Sequence, residues 1–418
     1  MEGNIVHTLT KERFRYGKGI TLIDDSGKEY LDGVSGTFNL SLGYNHPHVV
    51  TKVQEQVANL AHMSSSFTEP YVEEVLDHLI QYTPNGIDAG WMRDITGSTA
   101  NECAVKLAQK YTGALDIISL YLSHHGQTQF ATGISGNAFR RRKFPNSAAA
   151  NSLHVPAPYC YRCPFNSSPD KCGYQCVEAI SDAIEYASSG SVACMIIEPI
   201  LGNGGNIIPP AGYFKRLRQL CNEYGLILIA DEVQTGIGRT GYMFASELLD
   251  IQPDIITLAK GLGGIGVPVA AVLMQSRLNV LEKHEHSFTS GSNLISVTAA
   301  KATLEVVSEP GFLEAVRSKG SLLGTLLTEM ADKHDCIIGE ARGVGLMWGL
   351  EIVDEDNAPD AVKSNAIIDR AFAEQQLILR GSRYGYGNVV KVRPSLTATE
   401  DEIVEIVKRL DTVLTTLH

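Results

Sequence analysis

The chain has 418 residues, 44% of them hydrophobic, enough to bury a large core and to build two lobes. It carries 35 basic against 47 acidic residues, a net charge of −12, which argues against nonspecific binding to nucleic acid or to an anionic membrane. No apolar run approaches the ~20 residues of a membrane helix, and Met1-Glu2-Gly3-Asn4 lacks the basic and apolar stretches of a signal peptide, so a cytoplasmic protein with reduced cysteines is expected.

From the N-terminus, Gly17 to Asp32 alternates apolar and polar residues around the turn Asp25-Ser26-Gly27, which predicts a small antiparallel sheet. His48 to Ala61 reads as an amphipathic helix with Val49, Val50, Val53, Val57 and Leu60 on one side. From about 65 to 305, short apolar runs alternate with helical patterns. The runs include Ile117–Leu122, Ala193–Ile197, Leu226–Ala230, Ile255–Leu258 and Ala270–Met274, and Tyr213–Tyr224 has helical spacing. This alternation predicts an α/β fold with a mainly parallel sheet. After Gly311 long amphipathic helices take over, with strands near Gly345–Ile352 and Val389–Val392. The expected division is 1–64 and 310–418 as two parts of a smaller α+β lobe, and 65–309 as the large lobe.

Two apolar runs end in chemistry. Leu226–Ala230 runs into Asp231-Glu232-Val233-Gln234, and Ile255–Ala259 runs into Lys260, followed by Gly261-Leu262-Gly263-Gly264. In an open α/β sheet, ligands bind just outside the C-terminal ends of the strands. A partly desolvated lysine there is a nucleophile able to form a Schiff base, and a carboxylate there can hold a pyridinium nitrogen protonated. That is the pair pyridoxal 5'-phosphate (PLP) requires. Thr96-Gly97-Ser98-Thr99-Ala100-Asn101 enters a helical stretch and offers backbone N–H groups and hydroxyls for a phosphate.

At this point the chain resembles class III aminotransferases of the fold type I PLP superfamily, from about Tyr30 to Ile406. The most specific block runs from Ile196 to Lys260 and contains IADEVQTGIGRTG and DIITLAKG. GSTANECAVKLA at 97–108, HHGQT at 124–128, FTSGSN at 288–293, RGVGLMWGLE at 342–351 and GNVVKVRPSLT at 387–397 support it. The resemblance implies that Lys260 carries the cofactor and moves the proton between the substrate Cα and the cofactor C4′. It implies that Asp231 pairs with the pyridine nitrogen, Gln234 lies near the phenolic oxygen and Val233 packs on the ring. Gly97, Ser98 and Thr99 match the phosphate turn, Gly126 keeps the family pattern, and Glu198 matches an acid anchoring the pocket wall. Thr289 matches a hydroxyl reaching the phosphate from the neighbouring subunit, which implies a homodimer with shared sites.

The substrate positions depart from better-known members. The stacking aromatic is here His124. Gln127 stands where 4-aminobutyrate enzymes have an arginine, Lys391 where they have the arginine binding an α-carboxylate, and Asn203 where an acid shields it. Arg393 follows two residues later on the same strand face. Lysine cannot reproduce bidentate carboxylate recognition, which argues against 4-aminobutyrate or ornithine. Phe38 falls at a pocket-lining position. The expectation is transfer of an amino group from a primary or ω-amine to a keto acid, with no nucleic-acid or membrane partner. The alternative is a PLP-dependent lyase acting on a phosphorylated amine, and racemisation or decarboxylation would use the same carbanion.

Two features stand outside this reading. Cys160, Cys163, Cys172 and Cys176 have the spacing C-x2-C-x8-C-x3-C, open to a structural zinc, an iron–sulfur cluster or plain reduced thiols. Arg140-Arg141-Arg142-Lys143 is a basic run, read as a solvated or intersubunit face or as a contact for an anionic substrate portion.

Overall fold

The structure is a computed structural model, which describes residues 12–64, 66, 67, 70–142, 151–382 and 385–417. Lys143 of the basic run lies outside them. The described strands are β1 (Phe14–Lys18), β2 (Thr21–Asp24), β3 (Glu29–Asp32), β4 (Ala89–Asp94), β5 (Asp116–Leu120), β6 (Ser152–Val155), β7 (Val192–Ile197) and β8 (Ile227–Asp231). They continue with β9 (Ile255–Leu258), β10 (Ala270–Met274), β11 (Ile338–Val344), β12 (Met347–Ile352), β13 (Leu377–Ile378), β14 (Arg380–Gly381) and β15 (Val389–Val392).

Seven of them form the central sheet in the order β4-β10-β9-β8-β7-β5-β6. The sheet is mainly parallel, as expected. Only β10 runs antiparallel to its neighbours. Strands β5, β8, β9 and β10 are buried along their whole length. Helices cover both faces, so these strands read as unbroken apolar runs rather than alternating ones. The register between β8 and β9 pairs Asp231 with Thr257, which puts the ends of the two strands side by side.

The helix Gly97–Thr112 starts where β4 leaves the sheet. Thr96 caps it by accepting from the Thr99 N–H at 3.2 Å, and Gly113 ends it in the left-handed region at φ 70°. Its buried face, including Ala104, Leu107 and Ala108, packs under β7, β9 and β10.

β1, β2 and β3 form the antiparallel sheet expected at the N-terminus, and β13 joins it parallel to β3 through Leu377 and Leu31. Both ends of the chain therefore share one sheet. The strand expected near Gly345–Ile352 is β12; it pairs with β11, which was not foreseen, and on its other side with β15, continued by β14, in one sheet. Its core includes Leu323, Leu350, Val390, Ile403 and Leu410. The helix Pro47–Asn59 packs instead on Leu294–Val307, and its Val49 shares a core with Phe244 and Leu258. β6 escaped the sequence reading because it is four residues long and carries Ser152 and His154.

Candidate active site

Asp231 closes β8 and is buried. Its Oδ2 accepts from His125 Nδ1 and from Asn101 Nδ2, each at 2.8 Å, and its Oδ1 accepts from the Val233 N–H at 3.1 Å. Asn101 is itself fixed. It also donates to the His125 carbonyl, and its Oδ1 accepts from the Thr257 hydroxyl at 2.6 Å. Burial pushes the Asp231 carboxyl up, but the His125 contact and the Lys260 charge outweigh it and hold it below its usual range. An ionised carboxylate has about four acceptor sites. Three are taken here, so Oδ1 can accept one more donor.

Lys260 stands two residues beyond β9. The Gly-rich stretch after it is not slack, since Lys260–Gly263 forms a 3-10 turn with Leu262 and Gly263 buried. Lys260 sits at φ +39°, sparsely populated for a residue with a Cβ, the kind of strain that clusters at functional sites. Burial lowers its amine to about 8, although Asp231 and Glu198 pull it up. A fraction of the amine is thus uncharged near neutral pH.

Lys260 and Asp231 open onto a cavity of about 330 Å³ lined also by Gly97, Ser98, Asn101, His124, Gly126, Gln127, Val233 and Val267–Val269. Gly97 lies against Val233, where an added Cβ would approach the valine methyl at 2.9 Å. Gly126 has φ +145°, and a Cβ there would meet the Ser98 hydroxyl. That hydroxyl accepts from the Gln127 N–H at 3.0 Å. Burial, then the charge of Lys260, lowers the His124 imidazole to about 3, so the ring beside the lysine is neutral. The His124 N–H donates to Glu198 Oε1 at 2.8 Å, and the Gly202 N–H to Glu198 Oε2 at 2.9 Å. Burial raises the Glu198 carboxyl.

Past Glu198, the wall is held by Arg393. Its guanidinium donates to Gln234 Oε1 at 2.6 Å, to the Gly202 carbonyl at 2.9 Å and to Asn206 Oδ1. It lies 4.3 Å from the centre of the Phe38 ring, and Lys391 Nζ lies 5.6 Å from the same ring. Both side chains are buried. No hydrogen bond reaches Lys391 Nζ among the described residues. Burial and the neighbouring Arg393 hold its amine well below its usual range.

The sequence matches the aminotransferase class-III family across residues 7–414. The chain belongs to the class III aminotransferases. It is 34% identical to an acetylornithine aminotransferase of Methanopyrus kandleri over 97% of this chain and 95% of that protein. It is 34% identical to a leucine/methionine racemase of Thermococcus litoralis, covering 94% and 88%. It is also 31% identical to a diaminobutyrate–2-oxoglutarate aminotransferase of Haemophilus influenzae, covering 98% and 92%. Among solved structures it is similar to an omega transaminase of Pseudomonas jessenii in complex with PMP, with a TM-score of 0.91 at 27% identity, covering 99% of this chain and 96% of that one. The fold is therefore that of fold type I PLP enzymes, and the protein is a PLP-dependent aminotransferase.

The class III cavity fits that cofactor on its own terms. It offers a lysine near neutrality, a carboxylate with one open acceptor site, and a glycine cradle that a Cβ would fill. The first helical N–H groups of Gly97 and Ser98 have no acceptor within the helix. Of the residues expected from sequence, Gly97, Ser98, His124, Gly126, Gln127, Asp231, Val233 and Lys260 line this one cavity. Glu198 stands behind His124. Thr99 does not line it, because its hydroxyl donates back to the Thr96 carbonyl at 2.9 Å. Gln234 is buried with its carbonyl oxygen turned to Arg393. Asn203 sits on the turn Gly202–Gly205, partly buried. Thr289 is exposed on the loop before helix Leu294–Val307 and does not line this cavity. Asn101 and His125 entered the sequence reading only as parts of quoted motifs, with no role given to either. An asparagine inside a helix carries no local signal of the carboxylate it will meet.

Proposed function

We propose that Lys260 is the cofactor-bearing and proton-transferring residue of this aminotransferase, and that Asp231 holds the cofactor's ring nitrogen protonated. The observation that carries the reading is the pairing of an amine near neutrality with an ionised carboxylate at the ends of adjacent strands. Bound PLP supplies an electron sink for the pair left when a proton is removed from the substrate carbon. Lys260 accepts that proton from the substrate Cα and returns it at the cofactor's C4′. Val233 and neutral His124 hold the ring between them. Gly97, Ser98 and Gly126 seat the phosphate, and Thr99 caps the same turn. Gln234, held by Arg393, would serve the phenolic oxygen, and Glu198 fixes the loop that carries His124.

The donor is a primary or ω-amine and the acceptor a keto acid. Lys391 and Arg393, stacked on Phe38, receive an anionic group, and Gln127 and Asn203 line its approach. The exposed position of Thr289 supports a homodimer in which that hydroxyl completes the partner's phosphate site. The sheet shared by β1–β3 and β13 supports a smaller lobe built from 1–64 and 310–418 beside a large lobe at 65–309, although helix Pro47–Asn59 packs on the large one. Its acidity supports a cytoplasmic location without nucleic-acid or membrane partners. No helix among the described residues is long and apolar enough to cross a membrane.

The purified protein, titrated with amines and no acceptor, tests the reading. Its yellow absorbance should fade as pyridoxamine phosphate accumulates and return on adding pyruvate or 2-oxoglutarate. Persistent colour with inorganic phosphate released from a phosphorylated amine would make the enzyme a lyase. Persistent colour with loss of optical rotation of an amino acid would make it a racemase, as the Thermococcus relative is named.

A further inference from the structure

We infer that Cys160, Cys163, Cys172 and Cys176 form a structural zinc site on the loop that leads into helix Gln175–Ala187. All four line one small, partly open cavity, together with Tyr159 and Phe165. All four are free thiols, with no disulfide between any of them. The loop from β6 to that helix has no regular structure beyond the 3-10 turn Cys160–Arg162. An irregular stretch of that length inside a compact protein needs something to hold it.

The backbone is bent to bring the two cysteine pairs together. Cys160 and Cys163 stand at the start and just past the end of the 3-10 turn. Asn166, Gly173 and Tyr174 then take positive φ values of 51°, 55° and 59°. For Asn and Tyr these are uncommon, and for a bulky aromatic they are costly. The chain turns back on itself as a result, and Cys172 and Cys176 return to the cavity of the first pair. Cys176 sits in the first turn of the helix and is buried.

The donor set chooses the ion. Four thiols with no histidine, carboxylate or open position suit a soft-binding, four-coordinate structural site, for which zinc is the common occupant. The cavity between them is about 20 Å³, about the room of one small ion. The four sulfurs are not a closed set beforehand. The described ligand atoms already within 4.8 Å of one another belong to Asp94, Cys103 and His286. That trio is unsuited to a cation, because Lys106 Nζ lies 3.3 Å from His286 Nδ1 and His286 Nε2 already bonds Asp94. At the four-cysteine cavity the sulfurs stand farther apart than that, and binding would require the thiols to turn about their Cα–Cβ bonds between staggered positions. The bound thiols give up their protons to solvent and Zn²⁺ takes their place, with no change of oxidation state.

Such a site would fix more than its own loop. Tyr159 and Arg162, flanking Cys160, both donate to the buried carboxylate of Glu351 on β12. Arg342 donates to the same carboxylate at 2.6 Å and, through Nε, to the Gly205 carbonyl at 2.9 Å. Gly205 adjoins Asn206, which accepts from Arg393. The zinc would thus anchor a chain of buried contacts ending at the wall of the cofactor cavity.

The test is metal and thiol counting on the intact, PLP-loaded enzyme prepared with zinc in the growth medium. The expected result is about one zinc per chain by mass spectrometry, set free into a colorimetric chelator only as a mercurial reagent modifies these thiols. Cys160→Ser and Cys172→Ser should each lower the zinc content at least ~tenfold, while Cys336→Ser, at an exposed thiol, should keep it. If the serine variants do not fold, the release experiment on the unmodified enzyme still decides. Zinc well below stoichiometric, with the four thiols alkylated as fast as Cys336, would overturn the proposal. So would iron with acid-labile sulfide in its place.

Discussion

The Asp231 carboxylate and the His125 ring meet at 2.8 Å, and both are closed to solvent. Since an ionised carboxylate only accepts, His125 donates from Nδ1, and its Nε2 has no hydrogen-bond partner. After burial, which opposes it, this contact is the largest influence on the Asp231 carboxyl and acts to keep it ionised. Replacing His125 with alanine should let burial win, raising the carboxyl. The acid limb of the pH profile of kcat/KM should then move up by about one to two units. An unmoved limb in an active His125→Ala enzyme would show that another group sets it.

Lys260→Ala should keep the fold, judged by circular dichroism, and lose about a thousandfold or more in turnover of any amine donor. Borohydride should fix pyridoxyl label to the unaltered protein and not to the variant. Near-normal rates in the variant would exclude the proposed proton transfer.

The amine of Lys260 also links stability to pH. Burial lowers it to about 8 from its ordinary 10.5. Below pH 8 the folded cofactor-free protein holds a buried cation that the unfolded chain keeps in water, which costs stability. Between 8 and 10.5 the folded state sheds the proton first, so stability rises with pH. Cofactor-free Lys260→Met should therefore be more stable than the cofactor-free parent at pH 7 by about 1–3 kcal/mol. Urea titrations should show the gap closing by pH 10.5. A gap that does not change with pH would place its cause elsewhere.

Gly97 is a steric requirement rather than a backbone one, because its φ is ordinary and its neighbour is Val233. Gly97→Ala should push Val233 into the ring space and weaken PLP binding by about tenfold, at a stability cost of about 1–2 kcal/mol. Fluorescence titration of the cofactor-free protein reads this directly. Pairing the change with Val233→Ala should restore most of the affinity.

Lys391 is a buried amine with no hydrogen bond among the described residues, held well below its usual range by burial and Arg393. Lys391→Met removes it at similar volume, so thermal stability should hold or rise slightly. If Lys391 receives the anionic group of the acceptor, KM for the keto acid should rise about tenfold or more, with KM for a neutral amine donor little changed. Equal effects on both substrates would remove Lys391 from that role.

The sheet and its two reactive ends were legible because buried strands are unbroken apolar runs. A charged residue closing such a run has to meet a partner: Asp231 meets His125 and Asn101, and Lys260 feels the charge of Asp231. The cradle was legible as Gly97-Ser98 entering a helix. What stayed hidden depends on side-chain direction after long-range packing. Thr99 faces back to Thr96 because the helix start needs a cap. Gln234 turns to Arg393, 159 positions away in sequence. β12 was foreseen near Gly345–Ile352, but its hairpin partner β11 was not, because Glu340 and Arg342 interrupt the apolar pattern of Ile338–Val344.

Arg393 ties the Gln234 amide, the Gly202–Asn206 turn and, through its own N–H, the Gly33 carbonyl at 2.7 Å into one knot. These groups come from the beginning, the middle and the last stretch of the chain. During synthesis, a polypeptide halted before β15 has already made its reactive lysine and carboxylate, but not this corner. On the proposed role of Lys391 and Arg393, selectivity toward anions would be the last property the protein acquires. An unfinished chain would carry an amine nucleophile without the wall meant to choose what reaches it.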